Sequence, residues 1–206
     1  MKLGTVVHEA IKEFLDKHSP EDYADLYEEY ENNGYKIPYL QDSNLPYTHR
    51  LRARVMFLNA VKFMMNGKLH PSYLEIFCKR PDIKVEGVID LIDAKKMIVV
   101  DWKTSKDAKM TADYSLQGNI YAMLSREIVG KVITDVRFVF LESGEPIKCT
   151  VNSDTINSTV AFIKQVRDDI TKCSQQGLFP RVKSSKCQKC QFALTCRRRE
   201  IEEQES

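Results

Sequence analysis

Two acids and a lysine carry the chemistry most readily read from this chain. In Val85-Glu86-Gly87-Val88-Ile89-Asp90-Leu91-Ile92-Asp93-Ala94-Lys95-Lys96-Met97-Ile98-Val99-Val100-Asp101-Trp102-Lys103, β-branched runs flank a polar break, a pattern that reads as a hairpin turning at Ala94-Lys95. With a two- or four-residue loop Asp90 lies opposite Val99. Alternation then puts Asp90, Asp101 and Lys103 on one face and the apolar Ile98, Val100 and Trp102 on the other. Two carboxylates and an ammonium on an aliphatic hairpin are costly to cover unless they are paired or hold a cation. Carboxylate oxygens suit Mg²⁺ or Mn²⁺, which take one or two protein carboxylates together with phosphate oxygens and water. Such an ion polarises a phosphoryl oxygen and supplies a hydroxide-like water. Lys103, two residues past Asp101, is placed to orient that water or to neutralise charge developing on phosphorus.

These residues need a frame. Val7, Ile11, Phe14 and Leu15 recur at helical spacing within Gly4 to Lys17. From Pro20 to Gly67 the chain is polar, Tyr-rich and broken near Pro38 and Pro46, with helical spacing returning at Leu51, Val55, Leu58, Val61 and Phe63; this predicts helix, loop, helix. Four strands are predicted at Tyr73 to Lys79, Ile83 to Ile92, Lys96 to Thr104 and Val136 to Glu142, with helices at Asp113 to Glu127 and Ser158 to Gln176. Adjacent strands mixed with crossover helices imply an α/β sheet covered by helices.

Composition removes several classes. With 206 residues, 43% hydrophobic and 29% charged, the chain is neither disordered nor fibrous, and has room for one domain with an appendage. Its longest aliphatic run, Met97 to Val100, is far too short for a membrane span. Met1 to Glu9 meets polar residues too soon for a secretory signal, so the expectation is an intracellular, cytoplasmic protein. The net charge of +2 is unevenly spread. Glu21 to Glu31 is acidic, whereas Arg181, Lys183, Lys186, Lys189, Arg197, Arg198 and Arg199 make a basic end that is either a polyanion contact or a solvated terminus.

The motifs together resemble the PD-(D/E)XK nuclease superfamily, in its RecB-like exonuclease branch, which includes CRISPR-associated RecB-like and AddB-type nuclease domains. The likeness is carried, in family order, by Gly4-Thr5-Val6-Val7-His8, Gly87-Val88-Ile89-Asp90, Val100-Asp101-Trp102-Lys103-Thr104 and Gln117-Gly118-Asn119-Ile120-Tyr121. It implies a restriction-endonuclease-like mixed central sheet flanked by helices, with a helical insertion at about residues 20–70 of a core spanning 1–178, and a basic, Cys-rich segment, 179–206, packed on that core. It implies His8, Asp90 and Asp101 as metal ligands with the Trp102 carbonyl, Lys103 as the catalytic lysine, and Gln117 and Tyr121 over the site against the DNA backbone. Glu75 resembles a strand glutamate of the family that holds a second ion or orders the site. The implied activity is Mg²⁺- or Mn²⁺-dependent hydrolysis of DNA, as an exonuclease on single-stranded ends, with a helicase, recombination or integrase partner. Two other classes stay open: a non-catalytic module docking nucleic acid or a partner, and a zinc-stabilised endonuclease on duplex or branched DNA.

Of six cysteines, Cys78 and Cys149 sit in strand-like apolar contexts and read as buried small hydrophobes. Cys187, Cys190 and Cys196 cluster, and three soft ligands want a fourth for zinc or a four-cysteine cluster. In the RecB-like branch a similar tail joins an early cysteine to bind a [4Fe–4S] cluster. This chain has no cysteine before Cys78, so the expectations are that the usual N-terminal segment is absent, that Cys173 is the fourth ligand, or that no full cluster forms.

Overall fold

The computed structural model describes residues 2–33, 36–41, 45–180 and 182–196, with the side chains of Ser185 and Lys186 excepted. Helix α1 (Leu3–Lys17) forms where the apolar residues recur at helical spacing, and the stripe Val7, Ala10, Ile11 and Phe14 is buried. It packs with α2 (Tyr23–Asn32), the short α3 (Pro38–Gln41) and α4 (Tyr47–Gly67). The heart of this layer is aromatic: the Phe14 ring lies 5.3 Å from Tyr23 and 5.4 Å from Phe57, centre to centre. The polar stretch after Pro20 therefore belongs to the main core, and Phe63 of α4 meets the Trp102 indole edge-on at 5.9 Å.

The chain continues through β1 (Tyr73–Arg80), β2 (Val85–Asp93) and β3 (Ile98–Lys103), crosses by α5 (Ala112–Val129) to β4 (Asp135–Phe140), returns in β5 (Glu145–Cys149) and enters α6 (Ser153–Gln176). The sheet runs β1-β2-β3-β4-β5, antiparallel throughout except for β3 beside β4, the pair joined by α5. This is the expected mixed sheet flanked by helices. Leu91, Ile98, Val100, Trp102 and Val139 pack toward α1 and α4, while Ile89, Val99, Val136, Phe138 and Phe140 pack toward α5. Cys78 and Cys149 are buried in the second cluster, as their contexts suggested.

Three details differ from the sequence reading. β5 is a fifth strand, masked by Pro146, whose missing N–H is tolerated because the strand lies at the sheet edge. α6 starts at Ser153, where Asn152 and Thr155 exchange side-chain and backbone hydrogen bonds that cap its first turn. The β2–β3 turn spans the four residues 94–97, with Met97 at φ 56°, so Ile92 pairs Val99 and Asp93 pairs Ile98. Val99 thus faces Ile92 instead of Asp90; the slip is two residues, which keeps the β3 side chains on their expected faces. β2, however, changes layers between Leu91 and Ile89, so Asp90 does not share the face of Asp101 and Lys103 as alternation predicted.

The chain divides into two compact units, residues 1–161 and 162–206. In the second, Phe162, Val166 and Ile170 form an exposed stripe on α6, and a 3₁₀ turn at Ser185–Lys189 precedes Cys190. Among the described residues no helix is long and apolar enough to cross a membrane.

Helix α5 meets the sheet at Gly118, where an added Cβ would stand 2.5 Å from Cys149 Sγ and 2.9 Å from Cys149 Cβ. Gly118→Ala is therefore expected to destabilise the protein by about 1–3 kcal/mol through overpacking, read as a lowered midpoint in urea unfolding. An unchanged midpoint would refute this close approach.

Candidate active site

The β2–β3 ladder ends at Leu91 opposite Val100. Beyond it β2 stays paired with β1 and β3 with β4, so the sheet forks, and the next residues along, Asp90 and Asp101, stand at the opening. There Asp90 Oδ2 accepts the Trp102 backbone N–H at 2.8 Å, supplying in place of a strand carbonyl the acceptor that Trp102 would otherwise lack.

Glu75 is bent toward the same point. It adopts φ 46°, uncommon outside glycine. On either side of it the strand changes layers: Leu74 packs with the α1 and α4 cluster, Ile76 with the α5 cluster. β2 makes the same switch between Leu91 and Ile89. From α1, His8 reaches in, its Nδ1 3.6 Å from Asp90 Oδ2 and 3.9 Å from Glu75 Oε1. The start of α1 can lie this close because Gly4 abuts Thr104, whose Oγ1 would be 3.1 Å from a Cβ at that position.

Helix α5 closes the other side. Asp101 Oδ1 accepts from the Tyr121 hydroxyl at 3.0 Å and from Gln117 Nε2 at 3.4 Å, while Gln117 Nε2 also donates to the Tyr121 oxygen at 2.9 Å. Lys103 Nζ donates to Gln117 Oε1 at 2.8 Å and lies 2.6 Å from Asp101 Oδ2 as an ion pair. That buried carboxylate oxygen has no partner in hydrogen-bonding geometry. Below the ammonium lie the Tyr114 and Phe138 rings, centred 4.8 and 5.1 Å away, a cation–π seat.

The electrostatics are strained in one direction. Burial, with the Asp101 and Glu75 carboxylates acting the same way, pushes the Asp90 carboxyl up to about 8 against the opposing Trp102 N–H and Lys103 ammonium. Burial and the Asp101 carboxylate also raise the Tyr121 hydroxyl, which stays a protonated donor.

His8, Glu75 and Asp90 each offer a ligand atom within 4.8 Å of the others, the one such group among the described residues. An imidazole and two carboxylates, one of them a buried acid that resists ionisation, fit a divalent cation. His8 and Asp90 are thus brought together with Glu75. Asp101 lies across the fork, outside this group, held by Lys103, Gln117 and Tyr121. Trp102 contributes its N–H to Asp90 and buries its indole. Sequence reasoning overlooked Gly118 and the seat that Tyr114 makes for Lys103. The Gln-Gly dipeptide of the fourth motif was the signal for the first; nothing local marked the second.

The cysteines behave otherwise. Cys187, Cys190 and Cys196 are exposed, and among the described residues they and Cys173 form no group of three converging ligand atoms. Their arrangement does not fit zinc or an iron–sulfur cluster. Of the basic residues of this end, Arg181 and Arg197 to Arg199 lie outside the described residues.

A family model for the PD-(D/E)XK nuclease superfamily matches residues 1–197. The chain belongs to that superfamily. Comparison with curated proteins finds no match. Among solved structures, a candidate exonuclease from Eubacterium rectale shares the fold at a TM-score of 0.52, covering 87% of this chain and 70% of its own, with 11% identity. The fork, with its acids and lysine, is accordingly the candidate active site of a nuclease.

Because Asp90 binds its proton more tightly folded than unfolded, its contribution to stability is fully present below the unfolded value near 4 and is lost as pH rises through about 8. In chelator, Asp90→Asn is expected to melt higher than wild type at pH 9 and to match it near pH 4. Parallel melting curves across that range would refute the buried, proton-holding acid.

Proposed function

We propose that this chain is a metal-dependent deoxyribonuclease of the RecB-like branch, acting as an exonuclease on single-stranded ends. The observation that carries the reading is the forked sheet, which gathers an imidazole and two carboxylates beside an Asp101–Lys103 pair. His8, Glu75 and Asp90 would hold Mg²⁺ or Mn²⁺, which when bound supplies charge neutralisation for the phosphate and a lowered pKa for water.

The remaining roles belong to the chain. Lys103 donates to Gln117 Oε1 and is ion-paired with Asp101 Oδ2, and its remaining N–H groups are the donors for the attacking water or a non-bridging phosphate oxygen. Asp101, fixed by Tyr121 and Gln117, holds the ammonium in place. In-line attack by water on phosphorus then breaks the bond to the 3′ or the 5′ oxygen; the water's proton passes to solvent and solvent protonates the departing oxygen. Preference for single strands is supported by the resemblance to the RecB-like branch. The basic end adds exposed Lys183, Lys189 and Phe192, the residue types that line single-strand tracks.

The test is digestion of end-labelled single-stranded DNA with Mg²⁺ or Mn²⁺, beside circular and duplex forms. Asp101→Ala and Lys103→Ala are expected to lower kcat by about 10²–10³-fold or more, with circular dichroism unchanged. Undiminished cleavage in either variant, or in excess EDTA, would refute the reading.

A further inference from the structure

We propose that Phe77 and Val88 form a platform on which an unpaired base of the substrate strand stacks. This rests on the nuclease reading and adds a positioning surface to its site.

The two residues pair directly across the β1–β2 ladder and are 56% and 42% exposed. Their neighbours face the other way. Ile76, Cys78 and Ile89 pack in the α5 cluster, and a Cβ on Gly87 would touch Leu124 of α5 at 3.5 Å. Alternation therefore turns Phe77 and Val88 to the opposite face, the side from which α1 delivers His8. The next pair along, Lys79 with Glu86, is charged, as a solvent-facing strand pair ordinarily is. An aromatic–aliphatic pair in that position gains the fold little, because its apolar area stays in water.

Position supplies the occupant. Phe77 lies two residues from Glu75 and Val88 two from Asp90, about 7 Å along each strand from two members of the candidate cation group. On the same side a hollow of about 500 Å³ opens between Glu75 and the face of α1 bearing Gly4, Thr5, His8, Glu9 and Lys12. A nucleotide whose phosphate reaches the acids has its base within reach of the ring. A protein partner seated on Phe77 would cover that entrance. Bases inside a duplex have both faces taken by stacking, so the platform is open to an unpaired base and is tolerant of sequence, since every base offers a π-face.

The experiment compares wild type, Phe77→Ala and Phe77→Trp in binding and cleaving a short single-stranded oligonucleotide. A second oligonucleotide carries an abasic residue at each of its terminal positions in turn. Phe77→Ala is expected to weaken binding of the intact strand about tenfold or more while Phe77→Trp restores it. The abasic strand should bind wild type about as weakly as Phe77→Ala binds the intact one, with no further loss when the two changes are combined. Equal binding of the intact strand by wild type and Phe77→Ala, or an abasic penalty that is the same in both, would overturn the platform while leaving the nuclease reading in place. Failure of wild type to cleave any DNA with metal would instead remove the reading on which the platform stands.

Discussion

The structure turns on the crowding of acids at the opening between β2 and β3. Asp90 is buried, faces Asp101 and Glu75, and receives one backbone N–H and a nearby imidazole in return. Lys103 balances Asp101, whereas among the described residues Asp90 and Glu75 lie in ion-pair range of the His8 imidazole and of no lysine or arginine. An arrangement of this kind opposes its own ionisation, which is why burial and the neighbouring acids push the Asp90 carboxyl up to about 8. A divalent cation would convert the same crowding into affinity.

Much of the packing shapes that opening. Gly118 lets α5 settle against Cys149, which sets the reach of Gln117 and Tyr121 to Asp101. Gly4 lets α1 approach Thr104, which brings His8 within range of Asp90. Between the two helices the Trp102 indole is buried against Phe63, and its own backbone N–H is the group that Asp90 accepts. The sheet thus separates two tasks: the α1 side gathers ligands, and the α5 side anchors the lysine.

Asp101 and the lysine were legible because strand alternation depends only on parity. Two residues apart on one strand, Asp101 and Lys103 share a face whatever the turn holds. Asp90, which parity placed with them, instead stands with His8 and Glu75, because β2 changes layers between Leu91 and Ile89. The order of motifs along the chain made His8, Gln117 and Tyr121 visible. What parity could not reveal was the fork itself, since the end of a ladder is decided by which neighbour each strand keeps. Nor could it show the left-handed Glu75, which breaks the alternation on which such reasoning relies. Gly118 was quoted within a motif, yet its tight contact with Cys149 joins residues 31 positions apart in sequence and becomes visible only in three dimensions. In the tail, the spacing of Cys187, Cys190 and Cys196 permits a ligand set, but among the described residues the exposed thiols do not converge, which of the expectations leaves the one in which no full cluster forms.

The central claim is that His8, Glu75 and Asp90 bind a divalent cation at the fork. Anomalous scattering from crystals soaked in Mn²⁺ addresses it most directly. A single strong peak bonded to the Asp90 carboxylate and the His8 imidazole, with Glu75 beside it, is the predicted result. Well-ordered crystals with no peak at those three residues, or with manganese bound only elsewhere, would contradict it.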